Sequence, residues 1–224
     1  MGRTSNADQR LMDAALSLVW EQSYGAVTID DICRKAGVKK GSFYYFFDSK
    51  AELAIAALDR CWKAQKPLWD EQFSSAKPPL QRILDHCDFV YRQQVAVKLK
   101  TGMVPGCPFC AIGSEICKQD EVIRAKVCEI LGNRAKYWES AINDAQREGV
   151  VGSGNATERA RCARAYFEGL VAQARLHNDA ELLASLGNRV REHILFFSGK
   201  NTAETRVKSA VESVPEEDFD PTIY

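Results

Sequence analysis

Thr28–Leu53 reads TIDDICRKAGVKKGSFYYFFDSKAEL. Its punctuation predicts two short helices joined by a tight turn, then a third helix with its own cap. Thr28 is a good N-cap, and Asp30 and Asp31 put negative charge in the first turn, where the helix dipole favours it. Ile29, Ile32 and Ala36 fall at helical spacing and give that helix one apolar face. Ala36-Gly37-Val38 is the break. Gly37 can take the left-handed conformation that ends a helix, and a short glycine-containing turn is what a helix-turn-helix needs. The second helix runs from about Lys39 to Phe47, with Phe43 and Phe47 facing inward. Asp48 and Ser49 stop it, and Ser49 with Glu52 forms a capping box for the next helix.

The polar face of the second helix carries the functional signal. It holds Lys39, Lys40, Ser42 and Tyr45, with Gly41 among them and Lys50 just beyond. Between Arg34 and Lys50, five basic residues stand against one acid, Asp48, a local net charge of +4 on a chain whose total is zero. A basic helix bearing donors and aromatic rings suits phosphate contacts and entry into a DNA major groove. Lysines facing water on a plain helical hairpin are the bland alternative. The coincidence of turn, charge asymmetry and aromatic cluster argues against it. On this reading Lys39, Lys40, Ser42 and Tyr45 reach base edges or nearby phosphates. Thr28, Tyr44 and Lys50 hold the DNA backbone, and Gly41 lets the main chain come close.

The segment GVKKGSFYYFFDSKAEL resembles the recognition-helix signature of the TetR family of bacterial transcriptional regulators. Gly37, Gly41, Ser42, Tyr44, Phe47, Ser49, Lys50, Glu52 and Leu53 fit that pattern. Phe43 stands where leucine is usual, and Phe46 where tyrosine or histidine is usual, which removes one possible phosphate contact. The resemblance is specific over about Asp8 to Leu58. It implies a homodimer that binds a palindromic operator on double-stranded DNA, and a second domain that takes a small molecule.

Composition sets the bounds. The 224 residues are 46% hydrophobic and 27% charged, with 30 basic and 30 acidic side chains, enough for a sizeable core. Zero net charge argues against a protein that coats nucleic acid over its whole surface. The first ten residues have no apolar core segment, so no signal peptide is read, and no apolar run is long enough for a membrane span. Eight cysteines without an export signal suggest a reducing cytoplasm and free thiols.

Asp8 to Ser23 reads as a first helix with Leu11, Ala15, Leu18 and Val19 on one stripe. A fourth helix runs from Ser49 to about Lys66, and Pro67 and Pro78-Pro79 punctuate the chain beyond it. Further helices are expected at Leu80 to about Leu99, at about ten residues ending near Lys118, and at Glu121 to Glu148. The last two are Ala156 to Asn178 and Glu181 to Phe197. Strand signals are absent, so the fold class is all-α. We expect a helix-turn-helix DNA-binding domain over 1–52 and a helical-bundle ligand-binding and dimerisation domain over 53–198. Residues 199–224, with three basic and six acidic side chains, read as a loose acidic tail.

The last two helices are apolar on more than one face. Tyr166, Phe167, Leu170, Leu186, Val190 and Ile194 are therefore candidates for a dimer interface in which each subunit gives two helices to a four-helix packing. Phe73, Phe89, Met103, Cys107, Phe109, Cys110, Tyr137, Trp138, Tyr166 and His177 are candidates to line a cavity for a mostly apolar or aromatic ligand.

Cys107-Pro108-Phe109-Cys110 has the spacing of thioredoxin-like redox sites, but no strand precedes it. Cys117 and Cys128 would complete a four-cysteine metal set that lacks a second close pair, so no metal is expected. A redox-sensing repressor switched by Cys107 and Cys110 stays open, beside plain packing of small apolar thiols. There is no P-loop, no G-x-S-x-G and no H-E-x-x-H, and the three histidines are scattered. The expectation is a non-enzymatic, cofactor-free regulator, most simply a ligand-released repressor. A helical small-molecule carrier with a vestigial helix-turn-helix is the alternative from a different class.

Overall fold

A computed structural model describes residues 6–116 and 120–196. In chain order the helices are α1 (Ala7–Glu21), α2 (Ile29–Ala36), α3 (Lys40–Phe46), α4 (Lys50–Gln72), α5 (Pro79–Thr101), α6 (Pro108–Ile116), α7 (Glu121–Arg147), α8 (Ala156–Leu176) and α9 (Leu186–Phe196). A short 3₁₀ turn, Ala180–Leu183, precedes α9. The described residues contain no strand, as the sequence predicts. The acidic tail and Cys117 lie outside the described residues.

The chain builds two apolar cores. The smaller joins Leu11, Ala14, Ala15 and Leu18 of α1 to Ile32 and Ala36 of α2, to Phe43 and Phe47, and to Leu53. Leu53, placed by the sequence in the second domain, thus packs in the first. The larger core gathers α4 to α9 around Trp62, Trp69, Phe109, Ile123, Ile130 and Trp138. Helix α4 runs from one core into the other.

Two sequence expectations are corrected here. Pro67 does not end the fourth helix: α4 continues to Gln72. Proline removes the bond to the Lys63 carbonyl, yet Lys63 and Pro67 both sit on the exposed side, where water can serve that carbonyl. The opposite face buries Trp62, Trp69 and Phe73, with Trp69 stacked on Phe73 at 5.5 Å. Burying two such rings is worth about 2 kcal/mol each, which offsets the roughly 3 kcal/mol that an interior proline costs.

The final helix is also divided. Asn178 takes a left-handed φ of 50°, Asp179 caps the 3₁₀ turn by accepting the Glu181 N–H, and α9 starts only at Leu186. The stripe Leu186, Val190 and Ile194 is at most 1% exposed within its own chain. It packs against α5 and α8, and Gly187 brings α9 close to Leu84. These three residues are core and form no dimer surface. An amphipathic helix has one apolar stripe, and here the monomer takes it.

Charged groups tie the larger core together at Arg82. Its guanidinium pairs with Asp144 of α7 and donates to the carbonyls of Ser75 and Lys77 in the α4–α5 turn, with both members largely buried. The hydrogen bond from Arg82 holds the Asp144 carboxyl below the usual carboxylate range. Its stabilisation is therefore complete above the ordinary unfolded value, about 4, and is lost as pH falls through the depressed folded value. Asp144→Ala leaves Arg82 buried without its anion and should lower the unfolding free energy by about 3 kcal/mol in urea titrations at pH 7. A loss below about 1 kcal/mol would reduce the pair to surface-like status.

Candidate nucleic-acid interface and the cavity behind it

The first helix of the hairpin is held at both ends by local chemistry. Thr28 Oγ1 accepts the Asp31 N–H at 3.1 Å, and the Asp31 carboxylate accepts the Thr28 N–H at 3.1 Å, a reciprocal capping box. At the other end Gly37 has φ 62°. Val38 N–H bonds to the Cys33 carbonyl and Gly37 N–H to that of Arg34, the two bonds of a Schellman turn. The next box differs from expectation by one residue. Ser49 accepts the Glu52 N–H, but the Glu52 carboxylate reaches Asp48 N–H rather than Ser49 N–H.

Phe43 and Phe47 anchor α3 in the small core, as predicted. The opposite face is open. Tyr44 and Tyr45 are 52% and 81% exposed; Lys39, Lys40 and Gly41 are exposed and Ser42 is partly so. A Cβ at Gly41 would meet nothing within 4 Å beyond its own helix, so Gly41 lies on open surface.

The charge of this face is less lopsided than its sequence window. The fold sets Asp30 beside Lys40 at 2.9 Å, Asp31 beside Arg34 at 3.0 Å and Glu21 beside Lys35 at 2.6 Å. All three pairs are solvent-facing, so each is weak and can be exchanged for a phosphate. Among the described residues Lys39 makes no ion pair. Lys50 is differently used. Its ammonium donates to the carbonyls of Tyr24 at 2.8 Å and Val27 at 2.9 Å and lies 4.2 Å over the Tyr24 ring. Burial lowers its pKa. Lys50 clamps the α1–α2 loop to the start of α4 and is not presented as a phosphate donor.

Behind this unit, a cavity of about 330 Å³ opens between α4, α5, α7, α8 and the loop before α6. Of the ten candidates, Phe89, Cys107 and Trp138 line it. Phe73, Phe109 and Tyr137 stand in the core outside that lining, where Tyr137 gives its hydroxyl to Asp70, and Cys110 touches the lining only through Cys107. Met103 and His177 are exposed. Tyr166 stacks on His193 at 5.5 Å. Phe167, read as a dimer residue, faces the cavity instead, and Leu170 packs at the edge of its own core.

The lining that sequence reasoning missed is mostly polar or aromatic: Gln65, Trp69, His86, Gln94 and Arg134. A signal was available. Arg134 sits one turn from both Ile130 and Trp138, a charged residue on an apolar stripe, and His86 similarly follows Ile83. Burial lowers the His86 pKa to about 3, so the ring is neutral, with Nδ1 on Gln72 Oε1 at 2.8 Å. Arg134 donates to Gln65 Oε1 at 2.6 Å and to Cys107 Sγ at 3.6 Å, and lies 4.2 Å over the Phe109 ring. Cys110 donates its thiol hydrogen to Cys107. That bond and the Arg134 charge hold the Cys107 thiol below its ordinary range against a desolvation penalty, while the Cys110 thiol is pushed up.

The cavity wall touches the hairpin unit directly. Trp20 of α1 lines the cavity and donates its indole N–H to the Pro105 carbonyl at 2.7 Å. Gly106, with φ 71°, is so close to Arg175 that a Cβ would come within 2.9 Å of it. Glu115 of α6 accepts both the Tyr24 N–H at 2.9 Å and the Gly25 N–H at 2.7 Å.

A three-helix unit exposing α3, mounted on a helical domain with an internal cavity, defines a helix-turn-helix DNA-binding regulator. The chain belongs to the TetR family. Residues 11–57 match the family model for bacterial regulatory proteins of the tetR family, and residues 79–190 match that for the tetracyclin repressor-like C-terminal domain. It is 25% identical over 195 residues to the transcriptional regulator AcuR of Cereibacter sphaeroides, covering 85% of this chain and 86% of that one. It is 28% identical over 132 residues to an HTH-type transcriptional regulator in the lacX 3′ region of Lactococcus lactis subsp. lactis. That match covers 58% of this chain and 65% of the relative. The crystal structure of a regulatory protein TetR from Rhodobacter sphaeroides superposes with a TM-score of 0.73 at 25% identity, over 84% of this chain and 99% of that one. No helix among the described residues is long and apolar enough to cross a membrane.

Lys39→Ala and Lys40→Ala should each weaken binding to duplex DNA of any sequence and flatten its salt dependence, by about 0.9 in the logarithmic slope. Lys50→Ala should leave that slope alone and lower the melting temperature. Salt titrations by fluorescence anisotropy, with thermal melts, check both; a flattened slope for Lys50→Ala would return it to the DNA.

Proposed function

We propose that this regulator is a homodimeric repressor that leaves a palindromic operator when a small, mostly apolar or aromatic molecule fills the cavity. The single observation carrying this reading is the shared wall. Trp20 belongs both to the hairpin unit and to the cavity lining, and Glu115 holds the same end of α1. A ligand that prefers a wider cavity therefore also prefers a displaced α1, and with it displaced recognition helices.

The dimer surface is assigned to the outward face of α8. Ala165, Gly169 and Ala172 are exposed there and Leu176 is 75% exposed; small side chains let a partner helix come close. Two-fold pairing would set two α3 helices on successive major-groove faces, matching half-sites about one helical turn apart or a little more. The test is anisotropy titration with the DNA upstream of the protein's own gene. The expected result is tight, salt-dependent binding of two chains per palindrome. Absence of binding at low salt would instead favour a carrier.

A second reading has a specific observation behind it. Cys107 lies beside Cys110 and Arg134 as a low-pKa thiol on the cavity wall, so oxidation of the pair to a disulfide would also reshape the start of α6. Binding measured with dithiothreitol and with diamide separates the two. Indifference to both supports the ligand-released repressor, and loss in diamide alone supports the thiol switch.

Glu115→Ala frees the Tyr24 and Gly25 amides from α6. It should leave ligand affinity within about twofold while cutting the ligand-dependent loss of DNA affinity by about tenfold, the scale of a typical allosteric coupling. Undiminished coupling would remove Glu115 from the transmission path.

A further inference from the structure

The groups around Arg134 specify more than an apolar ligand. Among the described residues its guanidinium pairs with no carboxylate, and its Nε–H is buried without a partner. Three aromatic rings, of Phe109, Trp69 and Trp62, surround it at 4.2, 5.2 and 5.8 Å. A cation so enclosed needs an anion, and the nearest available one is the sulfur of Cys107. That sulfur also receives the Cys110 thiol hydrogen. It sits at the start of α6, where the Cys107 carbonyl takes the first helical bond from Ala111 N–H at 3.0 Å. The remaining wall charges cancel: Arg164 and Glu168 pair at 2.6 Å, and His86 is neutral. The cavity thus offers one nucleophilic sulfur, one cation already balanced by it, and otherwise neutral walls. Such a site favours an uncharged ligand with an electrophilic carbon.

We propose that Cys107 captures a small neutral α,β-unsaturated carbonyl compound by covalent addition inside the cavity. A sulfur lone pair of Cys107 forms the S–C bond at the β-carbon. The π pair of the C=C bond moves through the α-carbon to the carbonyl oxygen as an enolate. The Arg134 N–H groups, one unpartnered and one released from the sulfur, donate to that oxygen. The Cys110 thiol gives its proton to the α-carbon, leaving a neutral thioether, and Cys110 regains a proton from water. Nothing is oxidised or reduced, and no co-reactant is required. The volume of about 330 Å³ suits a one-ring compound. Loss of the sulfur anion leaves Arg134 without its counter-charge, at the loop that Trp20 grips. This inference deepens the ligand-release reading and rests on it only for the effect on DNA.

The experiment treats the reduced full-length protein with cyclohex-2-en-1-one and monitors it by intact-mass and peptide mass spectrometry. One adduct per chain is expected, on Cys107, ahead of the exposed Cys128 and of Cys61 on the same wall; saturated cyclohexanone should give none. Cys107→Ser should abolish the fast adduct. Arg134→Gln, checked for fold by circular dichroism, should slow addition by roughly tenfold or more. Equal labelling of Cys107 and Cys128, or an unchanged rate in Arg134→Gln, would overturn the proposal. Release of DNA by the enone without any adduct would also overturn it while sparing the ligand-release reading. An adduct on Cys107 that leaves DNA bound would uphold the capture site and sink that reading instead.

Discussion

The carboxylate of Glu115 ties the helix-turn-helix unit to the larger helical domain. Two apolar cores share helix α4 and meet where Leu16 and Val19 of α1 pack against the larger one. Glu115 accepts two consecutive amides, Tyr24 and Gly25, at the end of α1. These donors belong to a chain reversal, where no helix can satisfy them, so the carboxylate of a different domain supplies what local structure lacks. Lys50 takes the carbonyl of the same Tyr24. One short loop is thus held by α6 through its N–H groups and by α4 through its carbonyls. Whatever moves α6 must move that loop or break charge-assisted bonds to it.

The cavity obeys the same logic of partial satisfaction. Most of its polar groups are occupied: Gln94 with both backbone groups of Gly106, His86 with Gln72, Arg164 with Glu168. Arg134 is the member left incompletely paired, and it leans on a thiol. A protein whose cavity served only to fill space would have an apolar residue at that point of the Ile130–Trp138 stripe. The charge is costly where it stands, and the cost is understandable if the position serves binding.

The hairpin unit was legible in the sequence because its determinants are local. A cap, a glycine turn and inward phenylalanines lie within 26 residues of one another, and the structure realises each in turn. Pro67 misled because a propensity rule speaks of the backbone alone, whereas burial of Trp69 and Phe73 decides how far α4 runs. The sequence reads the last helix as apolar on more than one face, whereas Leu186, Val190 and Ile194 form one stripe that the chain's own core takes up; no apolar stripe says whether it will face its own chain or another. Lys50 reads as a phosphate ligand in the sequence because it follows a basic helix rich in donors. Its partners, Tyr24 and Val27, arrive by folding. The bond from the Tyr24 N–H to the Glu115 carboxylate, across 91 positions, has no local signature at all. The basic patch shows the same effect in reverse, since Glu21 is carried into it from α1.

The proposed ligand release couples the cavity to α3 through the bonds that Glu115 accepts from Tyr24 and Gly25. Residue-resolved amide hydrogen exchange at Tyr24 and Gly25 tests it most directly. These two amides should be protected in the free protein and lose protection when a compound that dissociates DNA fills the cavity, while amides in the small core around Leu53 stay unchanged. Dissociation of DNA with the Tyr24 and Gly25 amides still fully protected would rule out this coupling.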